Sequence, residues 1–182
     1  MKIGIVVGSI RDVRKADTVA AWAHRHATAH GGAQYELVDL KSFDVPLLTE
    51  ATLPMMADRQ YRSEQVTAWS RAIDACDGFV FVTPEYNHGV PGAFKNAVDS
   101  LGPEWVGKAV GFISYGADGG VRCVEHWRSS LANFQMVDVR QQVALILHTD
   151  FSDAGFTPME RRTGELSTLL DQLVAMTGRL RD

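Results

Sequence analysis

The residues of this chain whose types and spacing could do chemistry cluster in three short stretches. The first reads Gly8-Ser9-Ile10-Arg11-Asp12-Val13-Arg14-Lys15. A glycine lets the backbone turn, Ser9 offers a hydroxyl, and Arg11, Arg14 and Lys15 put three cations within five positions. With free loop amides and the positive end of a following helix, that combination suits a phosphate. A solvated basic turn is the other reading of the same residues. Neither GxGxxG nor GK[ST] is present, which argues for a single phosphate monoester over a dinucleotide at this loop. The second stretch, Thr83 to Gly92, carries Pro84, Glu85, Tyr86 and Asn87, and Pro84 holds Thr83 extended. Its polar groups and amides could face a planar ligand with alternating donors and acceptors, or form an ordinary strand-to-helix connection. The third is Ser114-Tyr115-Gly116-Ala117-Asp118-Gly119-Gly120. Its glycines allow a ligand close to the backbone, and the Gly119-Gly120 amides at a helix start could hold a developing anion.

These stretches are positioned by an alternation of apolar runs and helical patterns. Strands are predicted at Lys2–Val7, Tyr35–Leu40, Gly78–Val82, Ala109–Ser114 and around Val143–Leu147. Helices are predicted from about Asp17 to Ala29, through Val66, Trp69, Ile73 and Cys76, from Pro91, along Val121 to Phe134, and along Leu166 to Leu180. Residues 41 to 60 read as a long loop. Five strands alternating with five helices imply an α/β fold, a doubly wound five-stranded parallel sheet in the flavodoxin-like order 2-1-3-4-5 with helices on both faces. That order puts the three stretches on one sheet edge, beside the switch point between the first and third strands.

Composition bounds the partners. With 182 residues and 46% hydrophobic content, the chain reads as one domain, 1–182, with a full core. A net charge of −4 gives an ordinary, mildly acidic surface, poorly matched to nucleic acid. The apolar residues after Met1 are too few to span a membrane and lack a cleavage signature. Cys76 and Cys123 form neither a CxxC pair nor a zinc spacing, so both read as reduced, helix-face cysteines of a cytoplasmic protein. His24, His26 and His30 have no carboxylate at ligand spacing, and no metal is expected. Arg161-Arg162 reads as a solvent-facing pair opening the last helix.

GSIR near the start, TPEYNHGVPGAFKNAVD in the middle and SYGADGGVR later resemble the NADPH-dependent FMN reductase family, a flavodoxin-like family that includes quinone, azo-dye and chromate reductases. The resemblance implies FMN held by the three stretches. Ser9 and Arg11 would bind its phosphate; Arg14 stands in for the hydroxyl many members carry there as a phosphate ligand, which leaves Arg14, Asp17 and Thr18 as alternatives for a further phosphate contact, with Val19 beside them. Pro84, Glu85, Tyr86 and Asn87 would line the isoalloxazine ring. Ser114, Gly116, Gly119 and Gly120 would approach its pyrimidine side or the phosphate end. It also implies a ping-pong reaction: NADPH or NADH gives hydride to the flavin, leaves, and is replaced by a small-molecule acceptor such as a quinone or a flavin. No residue is required as a general acid or base. An FMN electron carrier without direct NAD(P)H turnover is the alternative, though the hydroxyl-rich T/SxTGxT loop of such carriers is absent. Members commonly form homodimers or homotetramers, and the apolar residues of 41 to 60 fit an interface flap, a lid or a buried loop.

Overall fold

A computed structural model describes residues 1–181. Five parallel strands, β1 (Lys2–Val7), β2 (Gln34–Asp39), β3 (Gly78–Pro84), β4 (Ala109–Gly116) and β5 (Val137–Ile146), form one sheet in the order β2-β1-β3-β4-β5. The helices between and after them are α1 (Ala16–His30), α2 (Glu64–Asp74), α3 (Gly92–Asp99), α4 (Val121–Ala132) and α5 (Arg161–Arg181). This is the expected flavodoxin-like sheet. Its central strands β3 and β4 are buried along their whole length, as a parallel sheet covered on both faces requires.

The two faces have separate cores. One joins β1, β3 and β4 to α1 and α5 through Ile3, Ile5, Val80, Ile113, Val19, Leu169 and their neighbours. The other, under α2, α3 and α4, is rich in aromatic rings, with Phe79, Phe81, Phe94, Phe112, Trp69, Trp105 and Trp127 fully buried. Buried indoles need acceptors. Trp69 donates to the Ala97 carbonyl at 2.8 Å and Trp105 to the Val98 carbonyl at 3.1 Å, so both indoles also tie down the end of α3.

Several sequence expectations are corrected. β5 begins at Val137, six residues before the predicted start, because Arg140, Gln141 and Gln142 hide an edge strand behind polar residues. Its register against β4 shifts between Val110 and Phe112, and Gln172 of α5 accepts from the Gln141 amide. A two-stranded hairpin, β6 (Phe151–Ser152) with β7 (Gly155–Phe156), was not foreseen. Arg162 does not face solvent: it is 3% exposed and paired with the fully buried Asp150 at 2.9 Å. Cys76 lies just beyond α2; it and Cys123 are free and buried. His26 and His30 bond to Ser167 and Asp171, which links α1 to α5.

The segment from Lys41 to Ser63 is fastened down as a strap. Asn96 accepts from the Leu48 amide and donates to the Pro46 carbonyl. The Met55 backbone runs so close to Gly102 that a Cβ there would sit 2.6 Å from Met55 Cα. Tyr61 donates at 2.7 Å to Glu104, a fully buried carboxylate that also accepts from Ser70 and the Gly102 amide. Leu47, Leu53 and Met56 nevertheless point outward, 70–78% exposed.

Candidate functional site

At the carboxyl edge of the sheet, the loops after β1, β3, β4 and β5 enclose a cleft of about 250 Å³. Ser9, Arg11, Arg14, Pro84, Glu85, Tyr86 and Gly116 line it, all from the sequence-derived set. Lys15, Tyr115 and Leu147 line it too. Tyr115 was legible in principle, since strand alternation sets it on the face of β4 that carries Ile113. A second cavity, of about 130 Å³, lies under the strap and touches none of the three stretches.

The β1 loop is built to leave its polar groups unspent. The amides of residues 9 to 13 donate to no acceptor among the described residues. α1 has no side-chain cap at Lys15. An uncapped helix start next to free amides is an anion site by the ordinary helix-terminus argument. Arg11 lies 5.8 Å from the Tyr86 ring and Lys15 4.8 Å from the Phe151 ring, and neither pairs with a carboxylate among the described residues. Arg14 is different. Its guanidinium is committed to Asp39 and Asp17 and donates to the Ser9 carbonyl, so it shapes the loop from behind. The Asp39 bonds also hold its pKa above the ordinary guanidinium value. Val13 adopts φ 51°, a conformation that costs a β-branched residue about 1–2 kcal/mol. It does so fully exposed at the cleft rim.

The β3 loop turns back on itself through paired Tyr86–Gly89 backbone bonds of 3.1 and 3.0 Å. Asn87 and His88, both at positive φ, form the tip in the manner of a type I′ turn and stand exposed outside the cleft. The two residues before the tip reach in opposite directions. Glu85 takes the Cys123 amide at 3.1 Å and Arg122 at 3.3 Å, capping α4. Tyr86 meets the Ser9 hydroxyl at 3.1 Å. Of the Gly119 and Gly120 amides expected to face an anion, Gly119 donates to the Gly116 carbonyl at 3.2 Å and Gly120 donates to no acceptor among the described residues, while Glu85 caps α4 further in, at Cys123.

Apart from Gly116, the remaining residues expected in the site sit further back. Ser114 spends its hydroxyl on the Gly119 carbonyl at 2.6 Å. Gly119 and Gly120, at φ 77° and 71°, bend the chain into α4. Gly116 is needed for space: a Cβ there would meet Glu85 Cβ and the Gly120 amide at 3.3 Å. Thr18 bonds the Lys15 carbonyl, and Val19 is sealed in the core beneath α1. Burial pushes the Tyr115 phenol above its ordinary range, and the Cys123 thiol behind Pro84 up to about 11.

Residues 1–150 match the family described as NADPH-dependent FMN reductase. The chain belongs to that family. The chain is 37% identical to an NAD(P)H-dependent FMN reductase of Schizosaccharomyces pombe, over 82% of this chain and 74% of the relative. It is 34% identical to another reductase of that description from Saccharomyces cerevisiae, over 75% and 76%. The fold matches the solved structure of a flavoenzyme NAD(P)H:(acceptor) oxidoreductase from Paracoccus denitrificans, with a TM-score of 0.76, 21% identity, and 98% and 97% of the two chains covered. This FMN reductase family member is thus an oxidoreductase whose cofactors are FMN and NAD(P)H. The cleft suits FMN on its own chemistry. One end gathers a hydroxyl, free amides and two cations without acidic partners among the described residues; the other offers backbone that glycine alone leaves open.

Proposed function

We propose that the chain binds FMN in this cleft, NAD(P)H and a small-molecule acceptor such as a quinone or a flavin using the same face in turn. The β1 loop, with amides and two cations that have no partner among the described residues beside a serine hydroxyl, carries this reading. Ser9, Arg11 and the loop amides hold the phosphate. Lys15 adds charge to that end. Pro84, Glu85 and Tyr86 present the β3 loop to the ring, and Gly116 lets its pyrimidine edge approach the backbone. FMN bound there would supply the redox chemistry between NAD(P)H and the acceptor. The protein's part is to fix the ring and keep the phosphate end neutralised.

The chain acts as one FMN-binding domain, in the cytoplasm, in keeping with its two free cysteines. No helix among the described residues is long and apolar enough to cross a membrane. Leu47, Leu53 and Met56, exposed on a strap that is itself held fast, support a homodimer or homotetramer.

A visible spectrum of the purified protein without oxygen tests the reading. Flavin bands at roughly 375 and 450 nm that bleach on adding NADPH are expected. Bands that bleach only with dithionite would make the chain an electron carrier. No bands after FMN addition would remove the function. Arg11→Ala should weaken FMN binding by about 1.5–3 kcal/mol, as loss of a charge-assisted phosphate bond does. An unchanged FMN titration would take Arg11 out of the site.

A further inference from the structure

Tyr86 belongs to the loop assigned to the ring, yet its side chain is spent on the phosphate end. Its hydroxyl lies 3.1 Å from the Ser9 hydroxyl, and its ring lies under the Arg11 guanidinium at 5.8 Å. It therefore touches both side chains that the reading above gives to the phosphate. Ser9 is 1% exposed, its hydroxyl bonds the Tyr86 phenol at 3.1 Å, and the Tyr115 phenol lies beside it as well.

The direction of that hydrogen bond matters. A phosphate oxygen only accepts, so Ser9 must point its proton at the ligand. It can do so while still bonded to Tyr86 only if the phenol donates and the serine oxygen accepts. A phenol donating into Ser9 fixes the serine rotor and polarises its O–H, as chains of hydrogen bonds do. The Tyr86 backbone is itself held, by the two bonds to Gly89 and by its neighbour Glu85 on α4, so the phenol is a fixed donor.

We propose that Tyr86 is a positioning residue for phosphate recognition: by donating to Ser9 it turns that hydroxyl toward the ligand's phosphate, which makes selection of phosphorylated over unphosphorylated flavin depend on the ring loop. The inference rests on FMN occupying the cleft with its phosphate at Ser9, and the experiment separates the two.

Dissociation constants for FMN and for riboflavin, which lacks the phosphate, are measured by quenching of flavin fluorescence in the wild type, Ser9→Ala, Tyr86→Phe and the double variant. The wild type should prefer FMN. Tyr86→Phe should weaken FMN on the order of 5- to 10-fold, the size of one hydrogen bond, and leave riboflavin unchanged. In the Ser9→Ala background the same substitution should have no further effect on FMN, because the residue it acts through is gone. Tyr86→Leu, which also removes the ring under Arg11, should weaken FMN more than Tyr86→Phe does. Equal weakening of FMN and riboflavin by Tyr86→Phe would overturn the proposal, as would its full effect persisting without Ser9. A wild type that does not discriminate between the two flavins would overturn the phosphate assignment, and the proposal with it.

Discussion

Asp150→Ala should cost about 3–5 kcal/mol, because it leaves the Arg162 guanidinium buried without its partner. Asp150 is fully buried and accepts from Arg162 Nε and Nη2 at 3.1 and 2.9 Å and from the Ile146 and Met159 amides at 2.9 and 3.0 Å. One carboxylate thus joins the end of β5 to the start of α5, and the segment between carries Leu147 to the cleft and Phe151 under Lys15. A fall in melting temperature of roughly 6–20 °C is expected by calorimetry at neutral pH. A fall under 3 °C would show that the pair is not a keystone. The pH dependence follows the same group. Desolvation opposes the charged form, but Arg162 and the two amides outweigh it, so the folded pKa of Asp150 lies below the ordinary carboxylate value. A lowered folded pKa means that this contribution is present above the unfolded pKa of about 3.9 and is lost as pH falls through the folded value. The variant should therefore lose less stability than the wild type as pH falls below about 4.

Gly8→Ala should be nearly as severe, for a reason of space. A Cβ at Gly8 would lie 2.1 Å from Phe94 Cδ1 and 2.3 Å from Cε1. Phe94 cannot retreat: it is fully buried, with Phe81 and Trp127 both at 4.8 Å between ring centroids. Either the ring and α3 move or the β1 loop does, at about 3 kcal/mol or more. Because the loop is the movable side, FMN affinity should fall together with the melting temperature. A variant that melts within about 2 °C of the wild type would place the clash elsewhere.

The same residue shows what sequence could and could not convey. Gly8 read as a turning glycine, yet it is absent from the glycines with positive φ; what demands it is a phenylalanine 86 positions later in the chain. The strands, the sheet order and the three site stretches were legible because β-branched runs, helical spacing and loop glycines are local signals. Arg162 and Asp150 were not, because an arginine at a helix start reads as solvated until its buried partner is brought beside it. Glu85 and Arg14 were placed in the site by motif, but only the fold shows that their charges are used within the protein, on α4 and on Asp39. Lys15 is the converse, a cation counted in the basic loop but not among the FMN contacts, which pairs with no carboxylate among the described residues and lines the cleft.

Arg11 and Lys15, without acidic partners among the described residues, have a kinetic meaning in a chain whose net charge is −4. A negative surface with a positive notch repels polyanions over most approaches and focuses them on one. Flavin nucleotide and nicotinamide nucleotide are both phosphorylated, so both are steered to the same gate. Their capture rates should slow as ionic strength rises and the Debye length shrinks from about 10 Å at 0.1 M salt toward 3 Å at 1 M. A neutral quinone feels none of this. If the proposed exchange at one face holds, salt slows capture of NAD(P)H and leaves capture of a neutral acceptor unchanged.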